Sequence, residues 1–134
     1  MKTVYHLQQD IEAIANMQRA SLDTGPVGLL ITHGLIGSSE WWSKVESGAL
    51  ALQSIRGEIS GFWPGQWGDG LAEFELRTSD GDRSKWLCEL PPSRAITEFL
   101  IGRRVEVSFV EQQLKTALEG NGNETNITVS IALA

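Results

Sequence analysis

The chain carries five tryptophans, and four of them, Trp41, Trp42, Trp63 and Trp67, lie close together in the sequence. An indole presents a broad apolar face and one N–H donor. An exposed group of indoles therefore stacks on bases, on sugars or on the side chains of a partner. Trp63 and Trp67 belong to the stretch Trp63 to Gly70, where Pro64, Gly65, Gly68 and Gly70 fix the backbone and leave room for a ligand. Trp42 is expected as a further wall of the site, with Arg56 and Arg77 as nearby hydrogen-bond donors. The competing expectation is a closed satellite cluster in which these rings bury one another.

Other chemistries lack their parts. Two histidines far apart and one cysteine give no zinc spacing. Glu119, Asn121 and Asn123 echo a calcium loop, but Glu124 stands where the loop needs glycine and Ser130 where it needs the bidentate glutamate. No metal, cofactor or catalytic residue is therefore expected. Glu73 and Glu75 share one strand face, but general-acid work needs a carboxyl in an apolar pocket, and Lys85 is expected beside Glu75 in the open. Cys88 reads as a small buried hydrophobe. A lone cysteine cannot form an internal disulfide, and the opening residues lack a signal-peptide core, so a cytoplasmic protein without a membrane span is expected. The net charge of -6 penalises nucleic acid and favours a protein, peptide or small-molecule partner.

The elements that would position these residues follow from periodicity. Leu7, Ile11, Ile14 and Met17 form one apolar stripe, predicting a helix over 3–20 with Thr3 as its N-cap. Gly25-Pro26 ends it. Val27 to Ile36 is short and apolar and is expected as a strand. A short helix is expected over 39–47, capped by Ser39 and closed by Gly48, with Glu40 and Lys44 spaced to pair.

From residue 52 the pattern changes to alternation. Strands are predicted at about 52–62, 71–78, 83–89, 104–114 and 125–133, with a helix over 93–101 capped by Ser93. Gly57 and Gly61 on the apolar side of the first strand predict a strong bend. Val105, Val107 and Phe109 are expected inward on the fourth strand; Ile127, Val129, Ile131 and Leu133 share a face of the fifth. Ser79-Asp80-Gly81 is expected as a three-residue turn with Gly81 at positive φ. That register pairs Phe74 with Trp86, Ala72 with Cys88 and Glu75 with Lys85; a slip of one residue would expose Trp86.

The order strand, strand, strand, helix, strand, strand, with a glycine-bent first strand, resembles the OB-fold over about residues 50–133. The resemblance implies an α+β chain with a five-stranded antiparallel barrel, whose Trp63–Trp67 loop borders the usual binding face. Residues 1–134 are read as one domain, with 1–50 a helical extension packed on a barrel formed by 51–134. The alternative architecture is an α+β sandwich with Val27–Ile36 as a sixth strand. Leu30 to Ser39, with His33-Gly34, is similar to the His-Gly segment of α/β-hydrolases, which implies part of an oxyanion hole. The chain has no Gly-x-Ser-x-Gly and is too short for that fold's core.

The functional expectation is a non-enzymatic binding module using Trp63, Trp67, Trp42, Arg56 and Arg77. The second reading is a single-stranded nucleic-acid binder and the third a small enzyme. A homodimer through the first helix or a sheet edge is also expected.

Overall fold

The computed structural model describes residues 1–23, 25, 28–65, 71–118 and 122–134. Its elements in chain order are β1 (Lys2–His6), a 3₁₀ turn (Leu7–Gln9), α1 (Ile11–Leu22), α2 (Ser39–Ser47), β2 (Gln53–Trp63), β3 (Glu73–Arg77), β4 (Arg83–Leu87), α3 (Pro92–Glu98), β5 (Arg104–Leu118) and β6 (Gly122–Leu133). The strands form one antiparallel sheet in the order β1-β6-β5-β2-β3-β4. The α+β class holds. The closed five-stranded barrel does not: there are six strands, and the linear order leaves β1 and β4 as edges. The sixth strand is β1, within a segment expected to be helical. By pairing with β6 it occupies an edge that closure would otherwise use.

The chain divides into two compact units. One comprises Met1–Tyr5, Ser54–Val107 and Ser130–Ala134; the other comprises His6–Gln53 and Ser108–Val129.

In the first unit the hairpin β3–β4 has the expected register. Thr78 N–H donates to the Asp82 carbonyl (2.9 Å) and Gly81 N–H to the Thr78 carbonyl (3.0 Å), with Gly81 at φ 90°. Phe74 then faces Trp86, Glu75 faces Lys85, and Cys88 N–H donates to the Ala72 carbonyl at 2.9 Å. The inner face buries Ile59, Phe74, Leu76, Trp86, Val105, Val107, Ile131 and Leu133. Helix α3 packs there through Ala95, and Phe99 just beyond its end stacks on Phe74, with centroids 4.8 Å apart and planes at 30°. Burying a ring such as Phe99 stabilises by about 1.5–3 kcal/mol. Helix α3 starts one residue earlier than expected. Pro91 is its N-cap, with no side-chain cap, so Ser93 does not cap it. Ile96, within the helix, and Leu100, beyond its end, are exposed.

The first unit also holds a feature the alternation conceals. The β2–β3 register shifts between Ile59 and Gly61, so Ser60 is an extra residue in β2. Ile59 stays inward opposite Leu76, and Phe62 comes inward opposite Phe74. Gly61 and Trp63 are thereby turned to the outer face, whereas simple alternation from Ile59 places them inward. Gly57 remains on the inner side, because a Cβ there would lie 2.8 Å from the Cδ2 of buried Leu76.

In the second unit α1 begins at Ile11, not near Thr3. Asp10 is its N-cap and accepts from Ala13 N–H at 3.1 Å. Breaking the helix there leaves Leu7 buried in the 3₁₀ turn and Ile11 80% exposed, so the four-residue stripe is split between two elements. The segment expected as a strand over Val27–Ile36 is mostly bends. Val27 lies outside the described residues, as does Pro26. Only Leu29 bridges, to Leu114, flanked by Leu30 N–H to the Gln113 carbonyl and Lys115 N–H to the Gly28 carbonyl, both 2.9 Å. Gly34 and Gly37, at φ 83° and 79°, turn the chain before it can extend. Helix α2 spans the expected residues, but Ser38 rather than Ser39 caps it, accepting from Trp41 N–H at 3.2 Å. Gly48 closes it at φ 82°. Glu40 and Lys44 form none of the ion pairs among the described residues, and the Glu40 carboxylate lies against Gly34.

Buried Gln112 ties this unit together. Its Nε2 donates to the Leu30 carbonyl (2.7 Å) and the Thr32 hydroxyl (3.1 Å), and its Oε1 accepts from Trp41 Nε1 at 3.5 Å. Along β5 the buried phase passes from Val105 and Val107 to Val110 and Gln112, so Phe109, expected inward, is only half-buried. Ile127, Val129, Ile131 and Leu133 are buried along β6, as their spacing predicts.

Candidate functional site

The bulge at Ser60 builds the site. On the outer face of the first unit, Trp63 pairs with Glu73, and Glu73 with Leu87; beside that row lie Gly61, Glu75 and Lys85. The Trp63 indole lies across Gly61. A Cβ on Gly61 would sit 2.7 Å from the indole Cη2, so only glycine leaves a floor for the ring. Lys85 Nζ stands 4.5 Å from the ring centroid on this face, a cation–π contact. Trp63 is nevertheless 42% exposed, and Leu87 on the edge strand β4 is 39% exposed. A large aromatic held in one orientation, on a face that also exposes an aliphatic side chain one strand beyond, is the kind of anchor that carries protein–protein binding energy.

The polar groups around this anchor are ordered. Ser60 Oγ donates to Glu75 Oε1 at 2.9 Å, and Arg83 Nη1 lies 3.6 Å from the same oxygen. Glu75 is thus held by Ser60 and Arg83, and Lys85, its expected partner, is engaged with Trp63 instead. Farther along the face Arg56 forms an ion pair with Glu106. Arg56, Arg77 and Arg104, from three adjacent strands, border a hollow of about 650 Å³ with Glu58, Asp80 and Gly81.

The expected site residues are therefore divided. Trp63, Arg56 and Arg77 share the outer face of the first unit. Trp42 belongs to the second unit, half-buried on α2 with its ring edge-on to buried Trp41, centroids 4.7 Å apart. Trp67 lies outside the described residues, with the loop over 66–70. The calcium-like positions Glu119 and Asn121 also fall outside. Leu87 and Arg104 escaped the sequence reading. Alternation from Trp86 and from Val105 marks both as outward, but nothing in the letters says that those positions share a face with Trp63 and Arg77.

Among the described residues, the side chains weighed for catalysis do not come together. His33 Nδ1 is 2.8 Å from the hydroxyl of neighbouring Thr32, an exposed local contact. Cys88 is fully buried, and that burial, followed by the charges of Glu89 and Glu73, pushes its thiol pKa up to about 12. Among the described residues no group of three or more His, Cys, Asp or Glu side chains is placed to hold a metal ion. Nor is any helix long and apolar enough to cross a membrane.

A fixed, exposed aromatic in an ordered polar frame is the kind of surface that docks against another protein. The chain belongs to the family described as Immunity protein RhsI2, which it matches over residues 1–134. No curated protein matches the chain at a significant level.

Membership of this family corrects the functional expectation. Toxin immunity replaces both the general binding module of no assigned function and the single-stranded nucleic-acid-binding OB domain. Of the expected partner classes, it supports the protein.

Proposed function

We propose that this chain neutralises a cognate toxin protein by binding it, and that the outer face around Trp63 is the surface it uses. The observation that carries the immunity reading is the family match over residues 1–134. The geometry supports the choice of face. Trp63 is held by Gly61 beneath and Lys85 beside it, so little side-chain freedom is lost when a partner covers it. Leu87 extends the apolar area to the edge strand, and the Ser60–Glu75–Arg83 group supplies a polar margin.

The test is co-expression with a panel of toxin domains in a growth assay, followed by co-purification with the toxin against which the chain protects. Trp63→Ala is expected to weaken that complex by roughly 30-fold or more, the loss typical of a central aromatic anchor. Failure to protect against any toxin would count against the immunity reading. Protection with undiminished affinity in Trp63→Ala would remove the face and leave immunity standing.

A further inference from the structure

We infer that the hollow bordered by Arg56, Arg77 and Arg104 is a second anchor point, one that receives a carboxylate side chain of the bound protein. The inference rests on the docking reading above. It starts from how the cations of the outer face are occupied. Arg83 lies against Glu75, Lys85 against the Trp63 ring, and Arg56 is paired with Glu106. Arg77 and Arg104 differ: among the described residues, neither guanidinium has a hydrogen bond or ion pair. Both border the same hollow of about 650 Å³, one from β3 and one from β5, with β2 between them. Each guanidinium presents planar paired donors whose geometry matches a carboxylate.

The floor and rim suit a small anionic group. Gly81 puts no side chain into the space, and Met1 adds an apolar wall. Glu58 and Asp80 also border the hollow, so its net charge is only slightly positive. With the overall charge of -6, that disfavours an extended polyphosphate and leaves a single carboxylate, positioned by a protein already docked on Trp63, as the fitting occupant.

The experiment uses the toxin identified by the protection assay. Arg77→Glu and Arg104→Glu are each expected to weaken binding by about tenfold or more. Arg94→Glu, the same charge reversal at an exposed position of α3 away from the outer face, is expected to leave binding near the parent level. Replacing one toxin Asp or Glu by Lys is expected to restore binding to Arg77→Glu. Equal losses for Arg77→Glu and Arg94→Glu would overturn the inference, as would failure of every such toxin replacement to restore binding. Full affinity in Arg77→Glu and Arg104→Glu, together with weakened Trp63→Ala, would remove the hollow while the face stands. Full affinity in all three would remove the face as well. Melting curves of the free variants, whose altered side chains are solvent-exposed, report that each is folded.

Discussion

Cys88 shows how a residue with reactive chemistry is silenced by its surroundings. It lies on the inner side of the first unit, its N–H donating to the Ala72 carbonyl, with no accessible surface. Burial raises its thiol pKa from 9.0 to about 12, so the native chain keeps its proton where the unfolded chain releases it. The sign follows from linkage. Below about pH 9 both states hold the proton and the thiol adds no pH dependence. Between about 9 and 12 the unfolded state binds fewer protons, so stability falls as pH rises. Replacing Cys88 by Ala removes this contribution. The difference in urea midpoint between the parent and Cys88→Ala should therefore shift against the parent between about pH 8 and about pH 10.5. A difference that stays constant over that range would show the thiol is not protected in this way. Trp63 is the opposite case, a large apolar residue kept in solvent because a one-residue bulge turned it outward.

At the scale of elements, β2 is held close to β3 by one glycine and the hairpin is turned by another, and the two differ in kind. A Cβ at Gly57 would lie 2.2 Å from the Arg77 carbonyl oxygen and 2.8 Å from a Leu76 methyl, so Gly57→Ala must move one strand. A Cβ at Gly81 meets nothing within 4 Å, and only its φ of 90° disfavours a side chain. Gly81→Ala should cost roughly 1–2 kcal/mol, the left-handed penalty alone. Gly57→Ala should cost more, about 2–3 kcal/mol, and should disturb amide signals on both β2 and β3. Equal costs by chemical denaturation, with changes confined to one strand, would contradict this.

The same contrast explains what was legible in the sequence. The β3–β4 register could be read because Ser79-Asp80-Gly81 and the need to bury Trp86 agree, and both are local. The Ser60 bulge could not, since its cause is pairing with a strand more than ten residues away. Nor could β1: Leu7, Ile11, Ile14 and Met17 form a continuous helical stripe on paper, while β6, the strand that recruits Lys2–His6, lies at the other end of the chain. Trp63 was singled out by type, but its exposure and its contact with Lys85 depend on that unread bulge.

For the molecule as a whole, the residues that hold the structure and those assigned to the toxin are separate sets. The outer face of the first unit carries Trp63, Leu87, Arg77 and Arg104, none of them in the buried core. The buried core of the second unit depends on Gln112, whose amide satisfies the Leu30 carbonyl and Thr32 hydroxyl and accepts from Trp41. Gln112→Leu leaves the buried Trp41 indole N–H unpaired and should lower stability by about 2 kcal/mol. The hydrogen bonds of the Gln112 side chain go to Leu30, Thr32 and Trp41, all within the second unit. Protection in the growth assay should therefore follow the folded fraction for Gln112→Leu, and purified folded protein should bind the toxin with parent affinity. Trp63→Ala should depart from that relation, protecting less than its folded fraction allows. Affinity measured on folded protein, set against urea midpoints for both variants, separates the two effects. If Gln112→Leu loses affinity while folded and Trp63→Ala keeps it, the toxin contacts belong with the second unit and the assignment to the Trp63 face is wrong.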